Sequence, residues 1–254
     1  MRVPRIHVED ELVCESEITL DKAASHHLSK VLRAKTGDPI CLFNGDGHDY
    51  KGSITQAGKS TRVGIESRKP NSTESPLHTV LLLGVSRGDR MDYAIQKSVE
   101  LGVSGIIAFY GQQSALKRTN ERDAKKTQHW QGISKSAAEQ SGRGSLPDLQ
   151  LKLDFNQALE ALNLSQTALS MALILHPASQ QSMAAALHSR EHNSTTKLAL
   201  AIAIGPEQGF SDTELAMADR EQFKAVTLGP RTLRTETAPV AALTVLQTLA
   251  GDLQ

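Results

Sequence analysis

The chain has 254 residues, with 28 Lys and Arg balanced by 28 Asp and Glu, and only 2 cysteines. That length supports one large domain or two modest ones with real cores. Zero net charge excludes a protein that holds nucleic acid by bulk charge alone, and two cysteines exclude a disulfide framework or a thiolate metal site. Charge is nevertheless segregated: residues 84–145 carry 10 Lys and Arg against 6 Asp and Glu, whereas 146–254 carry 7 against 11. Any RNA contact is therefore expected from local patches on a shaped target. The first residues, MRVPRIHVEDEL, lack the apolar stretch of a secretory signal, and no run is long enough to span a membrane. A soluble cytoplasmic protein is expected.

From residue 1 to about 68 the signals are short and β-like. Strand-length pieces at Pro4–Val8, Pro39–Phe43, Tyr50–Gln56 and Arg62–Ser67 are separated by Thr36-Gly37-Asp38, Asn44-Gly45-Asp46-Gly47 and Ala57-Gly58-Lys59-Ser60, all turn-forming. One helix, about Asp21–Ala34, interrupts them. The pattern predicts a small barrel over 1–70. Residues 71–76, within the polar run Lys69–Pro76, have the composition of a linker. Gly52…Gly58-Lys59-Ser60 has the wrong spacing and setting for a phosphate-binding loop. His26-His27 lacks the further ligands a metal needs, so no metal site is expected.

From Thr79 strands alternate with helices, which predicts an α/β domain with a parallel sheet over 77–254. Strands are expected at Thr79–Leu83, Ile106–Phe109, Leu169–Leu175, Leu198–Ile204 and Ala225–Leu228. Helices are expected near Asp92–Leu101, Glu121–Gln140, Gln180–Leu187, Asp212–Glu221 and Ala238–Ala250. Asn163–Ser170 and Arg190–Thr196 read as polar connectors or fraying ends. No GxGxxG follows a strand, against a Rossmann-type nucleotide site.

The last quarter carries the chemistry. The apolar run LALAIAI has the pattern of a strand buried on both faces. It ends in Gly205-Pro206-Glu207-Gln208-Gly209-Phe210, and Ser211 with Glu214 forms a capping box that opens a helix. A second strand runs into Gly229-Pro230-Arg231-Thr232-Leu233-Arg234-Thr235-Glu236-Thr237 and a final helix. Two glycine-rich loops at the carboxyl ends of parallel strands predict a ligand crevice. Glycine lets backbone amides and carbonyls approach a ligand closely, because no Cβ intervenes.

These two stretches, IGPEQGFSDTEL and LGPRTLRTETAPVAAL, closely resemble the paired signatures of the ribosomal RNA small subunit methyltransferase E family, of the SPOUT superfamily. HHLSKVLRAKTGDPICLFNGDG resembles that family's PUA-like RNA-binding domain. Asp92–Val103 resembles its QKAVELGV helix, and Ala138–Arg143 its EQSxR element. The resemblance implies a trefoil-knotted α/β methyltransferase domain behind a PUA-like β-barrel. It implies a homodimer that uses S-adenosyl-L-methionine to methylate N3 of a uridine in 16S rRNA of the assembled small subunit. It places the cofactor on Leu175, His176, Gly205, Pro206, Glu207, Gly209, Leu228, Gly229, Leu233, Arg234 and Thr235. RNA contacts are expected from Arg5, Arg33, Arg87, Lys97, Gln140, Arg143 and Arg231. Glu139 and Arg143, four apart, are alternatively a helix-surface ion pair, and so are Lys97 and Glu100, three apart.

Uracil N3 carries its proton at neutral pH, so methylation requires that the proton leave and that charge on O2 or O4 be stabilised. Arg234 is the candidate for the second task and Glu236 for the first. Alternatively, Glu236 caps the final helix and pairs with an arginine. Gln208 departs from the family's usual glycine and would be strained by about 1–2 kcal/mol if that position needs a positive φ. That strain is the one feature favouring the other reading, a non-catalytic ribosomal-RNA-binding assembly factor with a degenerate pocket.

Overall fold

The computed structural model describes residues 3–114, 119–164, 168–189 and 198–253. Of the connectors expected at Asn163–Ser170 and Arg190–Thr196, residues 165–167 and 190–196 lie outside these, and Asn163 and Leu164 are the end of a helix instead. The described chain divides into two compact units, Met1–Glu74 with Lys135–Leu146, and Ser75–Ser134 with Pro147–Gln254.

The first unit is a five-stranded sheet of β1 (Arg5–His7), β2 (Glu17–Thr19), β3 (Pro39–Phe43), β4 (His48–Gln56) and β5 (Arg62–Pro70), in the order β1-β3-β4-β5-β2. β1 runs parallel to β3 and the other neighbours are antiparallel. It curls round a core that includes Ile6, Leu20, Leu28, Leu42, Ile54 and Val63. Asp21 caps α1 (Lys22–His26) by accepting from the Ala24 amide at 2.7 Å, and a π-helical turn, His27–Val31, continues it. Lys69 and Pro70 belong to β5 rather than to a linker.

Residues 135–146 join this unit through polar contacts that no local pattern encodes. The Arg5 guanidinium donates to Asp49 Oδ1 (2.9 Å) and to the Arg143 carbonyl (3.0 Å). Glu139 accepts from the His7 amide at 3.0 Å. Arg143 is bound to Glu74 at 2.8 Å, and Glu74 Oε1 also accepts from the Gly144 and Ser145 amides.

The second unit is a parallel sheet flanked by helices. Its strands are β6 (His78–Gly84), β7 (Gly105–Phe109), β8 (Asp148–Lys152), β9 (Met171–Leu175), β10 (Ala199–Ile204) and β11 (Lys224–Val226). Their order is β11-β9-β10-β6-β7-β8. The helices are α2 (Asp89–Glu100), α3 (Asn120–Ser141, whose last turns belong to the first unit), α4 (Phe155–Leu164), α5 (Met183–His188), α6 (Asp212–Arg220) and α7 (Thr237–Ala250). β10 is buried at every residue, as its unbroken apolar run requires. β8, α4 and the short β2 are additions to the elements expected from sequence.

The strand order positions the site. β11, β9 and β10 are neighbours, with Val226 opposite Leu175 and Ala203 opposite Ile174. The loops leaving these three strands therefore emerge side by side at their carboxyl ends, the usual ligand crevice of such sheets.

Candidate active site

These loops enclose a cavity of about 630 Å³, lined by Leu175–Ala178, Ile204–Phe210, Val226–Leu228, Arg231–Thr235, Ala238 and Arg90. That is the size of site which small ligands and cofactors occupy. The loop after β10 is held from behind. Pro206 lies against Gly84 and Gly111, at the ends of β6 and β7, where a Cβ would come within 2.6 Å of the proline ring. Phe210 stacks on Phe109 with ring centroids 6.0 Å apart and packs on Phe155 at 5.1 Å. The expected capping box is present: Ser211 Oγ accepts from the Glu214 amide at 3.2 Å, and Glu214 Oε2 accepts from the Ser211 amide at 2.8 Å. Buried Glu214 also accepts from the Gln112 amide at 3.0 Å, tying the start of α6 to the turn that follows β7.

Between these anchors Gly209 donates to the Pro206 carbonyl at 2.8 Å and closes a β-turn. The left-handed residue is Gly209, at φ +76°, while Gln208 keeps a negative φ. The expected strain at Gln208 is therefore absent. Gln208 is the third residue of the turn and glycine the fourth, the usual place for glycine in a type I turn.

The loop after β11 is bound to the loop after β9. His176 donates its amide to the Val226 carbonyl (2.9 Å), Met183 to Thr227 (2.9 Å) and Thr227 to Gln181 (2.9 Å). Gly229, at φ +129°, turns the chain, and its amide donates to Thr227 Oγ1 at 3.2 Å. Arg234 then faces the cavity with 78% of its side chain exposed, 3.9 Å from Glu236. Glu236 holds the N-cap position of α7 but makes no side-chain cap; the Thr235 hydroxyl lies 3.3 Å from its Oε2 instead. The Arg234 carbonyl closes the first turn by accepting from the Thr237 and Ala238 amides, both at 3.0 Å.

Of the residues expected round the cofactor, Leu175, His176, Gly205, Pro206, Glu207, Gly209, Leu228, Leu233, Arg234 and Thr235 line the cavity; Gly229 shapes it from one position back. Glu236 stands just behind the lining. Arg90, which lines the cavity and pairs with Glu207 at 2.7 Å, and Gly84 and Gly111 beneath it carry no sequence signal of a role at the site.

The residues expected at RNA fall into two groups. Arg33, Arg87 and Arg231 are exposed, with Arg33 in a left-handed conformation at φ +54°. Gln140 is exposed as well. Lys97 is half-buried and paired with Glu100 at 2.8 Å, the helix pairing that its spacing allowed. Arg5 and Arg143 are engaged inside the first unit: the Arg143 side chain is 5% exposed against Glu74, and that of Arg5 12% against Asp49. Their guanidiniums hold the fold together where RNA contact was expected, and the surface pair Glu139–Arg143 is replaced by separate partners for each. Burial resists ionisation of Glu74, but hydrogen bonds and charge from Arg143, with the Ser145 amide, bring its pKa below the ordinary glutamate value. Burial raises the pKa of Glu139.

A parallel sheet with this loop cluster, following a small curled β-sheet unit in the chain, defines a class. Residues 73–247 match the RNA methyltransferase domain, and residues 20–61 match the RNA methyltransferase PUA domain. The ribosomal RNA small subunit methyltransferase E of Buchnera aphidicola from Acyrthosiphon pisum is 30% identical over all of this chain and 96% of its own length. That of Bacillus subtilis is 30% identical over 89% of this chain and 90% of its own. Two solved structures match over 100% of both chains. A putative methyltransferase from Legionella pneumophila in complex with the bound cofactor SAM has TM-score 0.89 at 35% identity. A ribosomal RNA small subunit methyltransferase E from Neisseria gonorrhoeae bound to S-adenosyl methionine has TM-score 0.87 at 33% identity. The chain belongs to the ribosomal RNA small subunit methyltransferase E family, and its α/β unit has the SPOUT methyltransferase fold.

Proposed function

We propose that this protein transfers a methyl group from S-adenosylmethionine to N3 of a uridine in 16S rRNA, on assembled small subunits, as a cytoplasmic homodimer. The observation that carries the reading is the cavity made by the three convergent loops, with an exposed arginine in its wall. The residues present fit the cofactor. Volume and mixed lining suit a nucleoside-sized ligand, and Gly205 is a cradle where an added Cβ would lie 3.1 Å from the Gly209 carbonyl carbon and the Phe210 ring. Leu175, His176, Gly205, Pro206, Glu207, Gly209, Leu228, Leu233 and Thr235 would hold it, with Gly229 shaping the turn. Bound there, it supplies a methyl group on a sulfonium, a good leaving group that needs no metal.

The chain's own residues supply the rest. Arg234 presents a guanidinium whose nearest carboxylate is 3.9 Å away, loose enough to turn toward a uracil oxygen as negative charge develops. Glu236, engaged by the Thr235 hydroxyl, is the carboxylate assigned to accept the N3 proton at Oε1. Exposed Arg33, Arg87 and Arg231 are assigned to RNA phosphates, with Gln140 toward a base edge. The Ala/Leu/Val-rich helix α7 is assigned to the isologous dimer face. The trefoil knot belongs to the same reading, supported by the bridge between Ser182 and Thr227 and by the return of α7, whose Gln247 donates to the Leu101 carbonyl at 2.9 Å. The assembly-factor alternative rested on strain at Gln208, and the negative φ there leaves it without support.

The test pairs calorimetry with single-turnover transfer of labelled methyl to unmodified small subunits. About one cofactor should bind per subunit. Arg234→Ala should slow transfer by roughly 100-fold, the scale for one lost electrostatic donor, with a much smaller change in cofactor affinity. Absence of saturable cofactor binding would defeat the reading. A variant that binds cofactor poorly yet methylates normally at saturation would move Arg234 into the cofactor site.

A further inference from the structure

The tip of the loop after β10, Glu207-Gln208, lies between two packed anchors, buried Pro206 on one side and half-buried Phe210 with the capping box on the other. Glu207 and Gln208 themselves are exposed. Among the described residues, the side-chain tether of this tip is the ion pair from Arg90 Nη1 to Glu207 Oε1 at 2.7 Å. Both residues line the cavity.

Helix stability does not account for Arg90. It stands in the first turn of α2, immediately after Asp89, where the positive end of the helix dipole disfavours a cation. Gly88, at the N-cap with φ +53°, gives that turn no side-chain cap. The pair is also too open to matter much for folding: its side chains are 46% and 31% exposed, and ion pairs of that kind contribute little to stability. A cation in an unfavourable helix position, aimed at a carboxylate on the cavity rim, is instead placed to fix the rim.

We propose that Arg90 is a positioning residue for the cofactor: through Glu207 it holds the tip of the Gly205–Gly209 loop at the cavity mouth. This rests on the cofactor reading above. The turn is preset by the Gly209–Pro206 hydrogen bond, but its free corner is held from α2, across the mouth. Losing the pair lets the corner swing, so the binding-competent arrangement is populated for a smaller fraction of the time and apparent affinity falls by that fraction. Chemistry at Arg234 is on the other loop and is not directly touched.

The experiment measures S-adenosylmethionine affinity by calorimetry, with methylation kinetics on small subunits, for wild type, Arg90→Ala, Glu207→Gln and the swapped pair Arg90→Glu/Glu207→Arg. The two single variants should bind cofactor about 5- to 10-fold more weakly, with the loss in KM for cofactor rather than in kcat, and unchanged melting temperatures. The swapped pair should recover most of the affinity, which a simple packing role would not. Added salt should weaken binding by the wild type and spare Arg90→Ala. Wild-type affinity in Arg90→Ala, or no recovery in the swapped pair, overturns the proposal while leaving the cofactor reading intact. Raised KM for the small subunit with unchanged cofactor affinity overturns it in favour of direct RNA contact. A wild type that binds no cofactor defeats both readings together.

Discussion

Gly84→Ala tests whether the cavity depends on what lies behind its wall. Gly84 ends β6, beside the point where β10 gives way to Gly205-Pro206. A Cβ there would sit 2.6 Å from Pro206 Cδ and 2.7 Å from the Gly205 carbonyl carbon, and closer still to the Pro206 nitrogen. Ordinary contacts begin near 3.4 Å, so the loop must retreat by most of an ångström. It cannot do so by a side-chain rotation, because the atoms met are backbone and a proline ring. Overpacking of this kind costs about 1–3 kcal/mol. A displacement of about 1 Å in a positioning element costs on the order of 100-fold in activity. The control is Gly132→Ala at an exposed position of helix α3, where an added Cβ meets nothing within 4 Å. It should stabilise by about 0.5–1 kcal/mol, since glycine is a poor helix former. Denaturant unfolding and cofactor calorimetry on both variants make the assay. If Gly84→Ala binds cofactor as wild type does and keeps its stability, Pro206 is not pressed on Gly84 and the account of the loop's seating fails.

Two further outcomes are expected. Gln208→Gly should destabilise the protein by about 0.4–1 kcal/mol, because φ at Gln208 is already negative and glycine only adds freedom to the unfolded chain; stabilisation on urea unfolding would restore the strain argument. Glu74→Gln leaves the buried Arg143 guanidinium without its charge partner and should cost roughly 2–3 kcal/mol, below the range for a fully buried pair because Glu74 is about a third exposed. The folded-state pKa of Glu74 is depressed, so its contribution is complete above the unfolded glutamate value and fades as pH falls through the folded one. The stability gap between wild type and Glu74→Gln should therefore shrink as pH is lowered below about 4; a gap that widens would contradict the assignment.

What could be read from sequence was what local pattern determines. The continuous apolar run of β10, the Ser211–Glu214 box and the glycine turns each have a cause within a few residues, and the loops they predict line the cavity. Helix α4 had such a cause too: Phe155, Ala158, Leu159 and Leu162 fall at helical spacing and are all buried. That signal is present in the sequence. β8 is different, a short edge strand with Asp148, Gln150 and Lys152 alternating against Leu149 and Leu151, weakly apolar because it pairs only with β7. The return of residues 135–146 to the first unit had no local signature. Its causes are single polar contacts across long stretches of chain, such as His7 to Glu139, and the same arginine in EQSGR can serve an RNA phosphate or a buried carboxylate. Gly84 and Gly111 were equally silent, since a glycine needed for close approach reads like any other until its neighbour is known.

The site divides its labour between what is buried and what is charged. Its shape comes from groups with no charge to offer a substrate: Pro206 on two glycines, Phe210 on two phenylalanines, and Gly209 and Gly229 in left-handed turns. Glu214 is the exception, and its carboxylate is consumed by the Ser211 and Gln112 amides. Arg90, Glu207, Arg231 and Arg234 stand at the cavity as exposed side chains. Open charges contribute little to folding, so the stability of the unit does not depend on them. Arg90 and Glu207 are tied to each other at the rim, while Arg234, 3.9 Å from Glu236, is held loosely in front of a cavity that keeps its form. Such a division explains how the loop accepts Gln208, an exposed tip residue, without losing its turn: the turn is specified by Gly209 and by the anchors on either side, and the tip is tethered through Glu207 rather than through Gln208.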